Sequence, residues 1–116
     1  MKIGNKLIGD HALGSVEYGM EHLGAKLVVV LGHTNCGAVD AALNGGAHGA
    51  IATITDEISA CLPAQCDPHE AEKLNVENSI SRIMDSEIIT EVTHTGTSRV
   101  IGAIYDIESG TVEFFE

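Results

Sequence analysis

The chain has 116 residues, enough for one domain with a modest core but short for a doubly wound sheet. Its 17 acids against 6 Lys and Arg give a formal charge of −11, which argues against nucleic acid or an anionic membrane surface as a partner. No apolar run approaches bilayer-spanning length, the first residues carry no signal-peptide core, and three unevenly spaced cysteines make no disulfide framework. A cytoplasmic protein without membrane contact is therefore expected.

Residues 1–9 are punctuated by glycine and have no periodicity. Asp10 is placed to cap a helix whose Leu13, Val16, Met20 and Leu23 share one face, with Gly24 closing it. Residues 27–31, Leu-Val-Val-Val-Leu, read as a strand buried on both faces that stops at Gly32. The turn His33-Thr34-Asn35-Cys36 follows, and Gly37 opens a short helix over residues 37–43, closed by Asn44-Gly45-Gly46. Ile51, Ile54, Ile58 and Leu62 mark a further helix, ended by Pro63. Asp67-Pro68-His69-Glu70 is a strong helix start, with Asp as N-cap and Pro at the first helical position.

The core face of that helix is either Ala71, Leu74, Asn78, Ser81 and Met84 or the set Val76, Ile80 and Ile83, and its Glu70, Glu72 and Glu77 read as solvated. Residues 86–95 form a short helix carrying Ile88, Ile89 and Val92, and Gly96 stops it. Residues 100–105 are a second apolar strand, which turns at Glu108-Ser109-Gly110 and returns through residues 111–115 as a hairpin. The pattern is α/β: a parallel sheet with flanking helices and a C-terminal hairpin, with little sheet for so many helices.

The chemistry concentrates at His33 and Cys36. Three residues apart, at the carboxyl end of a buried strand, they present an imidazole and a thiolate, the donors that zinc prefers. A tetrahedral site needs at least three protein ligands and this turn supplies two. The bland alternative is a buried apolar cysteine beside a solvated histidine. The amides of Asn35, Gly37 and Ala38, at a helix N-terminus, also suit an anion such as bicarbonate or phosphate. Cys61 and Cys66 flank Pro63, with His69 beyond them. They read first as incidental helix-end residues and second as surrogate ligands. His11, His22, His48 and His94 are scattered and read as surface residues, as does Asp40; His48, in a Gly-rich loop, is the best placed of these histidines to fold over the turn.

Residues 14–39, with the block His33-Thr34-Asn35-Cys36-Gly37 at their heart, strongly resemble the β-class carbonic anhydrases. So do Gly4-Asn5, Asn75-Val76, Ile88-Ile89, Val100-Ile101-Gly102-Ala103-Ile104-Tyr105-Asp106 and Gly110-Thr111-Val112. The resemblance implies a zinc enzyme that interconverts CO₂ and bicarbonate. Its one zinc ion would be held by His33, Cys36 and a further cysteine from an upstream Cys-x-Asp-x-Arg strand. In the family that motif also supplies an Asp that orients zinc hydroxide or takes the fourth position, and an Arg that pairs with it. Zinc lowers the pKa of its bound water to about 7.

The 116 residues contain no Cys-x-Asp-x-Arg. Residues 1–116 are thus expected to be a single, N-terminally truncated domain of this family, missing its N-terminal helix and first strands. CO₂ hydration is expected to be weak or absent. A homodimer or higher oligomer is expected, either shielding the edge left by the lost strand or pooling His33 and Cys36 of two chains into a closed zinc site. The alternatives are a non-catalytic scaffold or partner protein and an anion-binding module built on the same turn.

Overall fold

The computed structural model describes residues 9–116. The Gly4-Asn5 part of the resemblance lies outside them. In chain order the elements are α1 (Asp10–Glu21), β1 (Leu27–His33), α2 (Gly37–Asn44), α3 (Ile51–Ser59), α4 (Pro68–Met84), α5 (Glu87–Thr95), β2 (Arg99–Tyr105) and β3 (Val112–Phe115). The sheet order is β1-β2-β3. β1 and β2 run parallel, with Leu27 opposite Arg99 and His33 opposite Tyr105. β3 returns antiparallel, with Val112 opposite Tyr105 and Phe115 opposite Gly102. The expected α/β class and terminal hairpin are both present.

Local chemistry sets most boundaries. The Asp67 carboxylate accepts hydrogen bonds from the amides of His69 and Glu70, and Pro68 occupies the first turn of α4. Ser86 caps α5 through the amide of Ile89. Gly45, at φ +74°, ends α2 in a conformation that a side chain resists. α1 departs from expectation at both ends. Its N-cap is Gly9, with Asp10 inside the first turn, and Leu23 lies beyond the helix and is exposed.

Two apolar clusters hold the helices to one side of the sheet. Leu13 and Met20 of α1, Ile83 of α4 and Ile89 of α5 pack with Val28, Val30 and Val100. Val39 of α2, Ile58 of α3 and Ala71 of α4 form the second cluster, on which Cys36 and Cys66 also pack. An ion pair between Arg82 and Glu57 ties α4 to α3. Of the four apolar positions expected to anchor α3, Ile58 is fully buried whereas Ile51 and Ile54 are exposed.

Three further expectations are corrected. β1 runs through Gly32 to His33 rather than stopping short. It is not buried on both faces: burial alternates along it, with Val28 and Val30 against the helices and Leu27, Val29 and Leu31 exposed. The cause is that the packed helices lie on the even-numbered side alone. α4 buries neither expected face but Ala71, Glu72, Val76, Ser79 and Ile83. Glu72, expected to be solvated, is 5 % exposed. Among the described residues β1 pairs with β2 alone, and none pairs with its other edge.

Candidate metal and substrate site

The site sits where the parallel strand β1 ends and α2 begins, the place that open α/β sheets offer to ligands. Thr34 fixes the turn from two sides: its amide donates to the Tyr105 carbonyl at 2.9 Å, and its hydroxyl oxygen accepts from the Ile107 amide at 3.1 Å. Asn35 then takes a left-handed conformation, φ 55°, which asparagine tolerates better than most residues. That reversal places Cys36 as the N-cap residue of α2, its carbonyl accepting from the Asp40 amide.

His33 is exposed and Cys36 half-buried. The His33 Nδ1 lies 2.9 Å from the Thr34 carbonyl. A carbonyl only accepts, so Nδ1 carries the hydrogen and the Nε2 lone pair is left free. A backbone carbonyl fixing the tautomer in this way is a common feature of metal-ligating histidines. His33 and Cys36 line one cavity of about 190 Å³ together with Leu31, Gly32, Val39, Glu72 and Asn75. Cys36 also faces a larger cleft, of about 450 Å³, formed with Asn35, Gly37, Asp40, His69 and Glu72. The turn therefore does bring the two expected donors to a common space.

Among the described residues no three His, Cys, Asp or Glu side chains converge as a metal needs, and residues 1–8 contain none of these types. Cys61 and Cys66 do not make up the deficit. The Cys61 thiol donates to the Ile58 carbonyl at 3.0 Å, and Cys66 to a Glu70 carboxylate oxygen at 3.4 Å. Burial pushes both thiols above the ordinary range, and the hydrogen bond to Glu70 adds to the rise at Cys66. A raised thiol pKa works against the thiolate that zinc binds. His11, His22, His48 and His94 are all exposed, as expected.

The structure adds a pair that the sequence did not reveal. His69 Nδ1 lies 3.0 Å from Glu72 Oε1. The imidazole is mostly exposed while the carboxylate is buried. This hydrogen bond, and then the carboxylate charge, raise the His69 pKa above its ordinary value. The i,i+3 spacing in the first turn of a well-capped helix was the available signal.

Because the folded value is raised, the pair's contribution to stability is complete below the unfolded imidazole pKa, near 6.5, and is lost as pH climbs through the higher folded one. Glu72→Gln is expected to bring the His69 titration, followed by NMR, back toward that ordinary value. An unchanged midpoint would contradict the assignment.

Residues 2–112 match the carbonic anhydrase family model. The chain is 31% identical over 119 aligned residues to a carbonic anhydrase of Mycolicibacterium smegmatis, covering 92% of this chain and 57% of the relative. Among solved structures it is similar to the β-carbonic anhydrase CafA of Aspergillus fumigatus, with a TM-score of 0.78 and 26% identity over 92% of this chain and 57% of that one. A chain from the structures of two tetrameric β-carbonic anhydrases of Sordaria macrospora shares the fold, with a TM-score of 0.72, at 24% identity over 90% of this chain and 59% of that chain. This chain thus spans a little over half the length of these relatives. By the family match over residues 2–112 and these likenesses, it belongs to the β-class carbonic anhydrases.

Proposed function

We propose that this chain is a carbonic anhydrase homologue whose His33 and Cys36 are donors to a zinc site for the reversible hydration of CO₂, and that the 116 residues by themselves catalyse it weakly or not at all. The observation that supports this reading is the cavity at the end of β1 that His33 and Cys36 both line, with no group of three metal-donor side chains among the described residues. Two protein ligands leave zinc loosely held, and the 116 residues contain no Cys-x-Asp-x-Arg to supply the Asp that would orient a hydroxide. CO₂ and bicarbonate are the substrates on this reading, and the cytoplasm is the compartment that the unpaired cysteines favour. No helix among the described residues is long and apolar enough to cross a membrane.

A stopped-flow assay with a pH indicator tests the proposal. The zinc-supplemented chain is expected to stay near the uncatalysed rate. A zinc-dependent rate far above background, abolished by His33→Ala, would show that the 116 residues form a competent site and would overturn the second half of the proposal.

A second reading, a non-catalytic assembly partner, draws on the edge of β1 with which no described strand pairs and the exposed apolar residues beside it. An anion-binding role for Asn35, Gly37 and Ala38 is the weaker alternative, because Asp40 and Glu72 line the same cleft and oppose negative charge.

A further inference from the structure

We propose that Glu72 is the third donor this chain offers to zinc, and that its hydrogen bond to His69 withholds it from His33 and Cys36. This role rests on the reading of those two residues as zinc donors.

The lining of the cavity singles out the residue. Besides His33 and Cys36, the described residues around it include one further side chain of a type that binds zinc, the Glu72 carboxylate. Asp40 lines the adjoining cleft instead. Asn75, one turn along α4 from Glu72, shares the cavity, and its side-chain oxygen is buried with no hydrogen-bond partner. An unpaired buried acceptor is characteristic of a place that takes an ion or a water.

Charge favours the same residue. Zn²⁺ beside the Cys36 thiolate alone keeps a net positive charge. The Glu72 carboxylate, itself 5 % exposed, cancels that charge. A neutral set is less costly to hold against Leu31 and Val39 than a charged one. Three protein ligands with the fourth position open are also what a catalytic zinc site has.

The obstacle is local. His69 Nδ1 donates to Glu72 Oε1 at 3.0 Å, from an imidazole that is 70% exposed. Held there, Glu72 does not converge with His33 and Cys36, since no three such side chains among the described residues do. Zinc must take the carboxylate from the imidazole, and its affinity is lowered by what that bond is worth.

Zinc affinity of the full 116-residue protein, measured against a chromophoric chelator, tests this. His69→Ala should tighten binding about tenfold and Glu72→Gln should weaken it by a similar factor, the scale on which single partners alter metal affinity. The double variant should bind no more tightly than Glu72→Gln. A pair that is merely structural would not give opposite signs from the two ends of one hydrogen bond. Asp40→Asn removes an equal charge from the adjoining cleft and should change affinity less than about threefold. In the unmodified protein, saturating zinc should shift the Glu72 carboxylate carbon in a ¹³C NMR spectrum, so the test survives a variant that fails to fold. Zinc binding that ignores His33 and Cys36 would overturn the reading of that turn, and the role of Glu72 with it. Binding that needs both of them overturns the role of Glu72 alone if a folded His69→Ala variant binds zinc no more tightly, or if the Glu72 carbon does not move.

Discussion

Gly32→Ala is expected to lower the unfolding free energy by about 1–3 kcal/mol, the usual cost of forcing an extra methyl into a packed contact. A Cβ on Gly32 would lie 2.6 Å from Val76 Cγ2 and 3.0 Å from Ile104 Cδ1. Val76 has little room to retreat: its other methyl is already placed 2.9 Å from where a Cβ on Gly102 would fall, and Val76 is itself buried. α4 thus lies down on the sheet through one valine wedged between two glycines. Gly32 also precedes His33 and lines the cavity that His33 shares with Cys36, so the substitution should perturb the candidate site as well as the fold. The urea midpoint should fall with an unchanged slope. NMR shifts should spread to Cys36 and Glu72, and a midpoint equal to that of the parent would show that the close approach is not real.

Ile89→Ala is expected to cost more, about 2–5 kcal/mol, because it removes three carbons from a site that cannot easily collapse. Ile89 is fully buried among Leu13, Met20 and Ile83, at the point where α1, α4 and α5 meet the sheet. Ile51→Ala is the matched control: Ile51 is 61% exposed, and its loss should change stability by no more than about 0.5 kcal/mol. Equal effects at the two sites would mean that the core lies elsewhere.

These two cases show what the sequence could and could not convey. The start of α4 was legible because Asp67-Pro68 acts locally, through a side chain bonding amides two and three residues on. The hairpin was legible because Gly110, at φ +75°, meets a local need of the turn. The buried face of α4 was not, because Glu72 and Ser79 occupy it and periodicity counts polar residues as outward. What allows a carboxylate there is its hydrogen bond to His69, a pairing visible only once the helix is docked.

β1 misled for a different reason. An apolar run reports that a strand is compatible with burial, not which of its faces is covered, and here helices pack on one side. Of the site, His33 and Cys36 were readable as a pair from their position after the strand, and the structure does bring them to one cavity. Where Cys61 and Cys66 lie relative to that cavity is a matter of tertiary placement, which spacing alone leaves open: each thiol bonds a carbonyl or carboxylate beside it.

The most direct test of the incomplete site is a zinc titration of the purified 116-residue protein against a competing chelator. Weak binding is predicted, lost on Cys36→Ser or His33→Ala and insensitive to Cys61→Ser and Cys66→Ser. One tightly held zinc ion per chain in the monomer would contradict it.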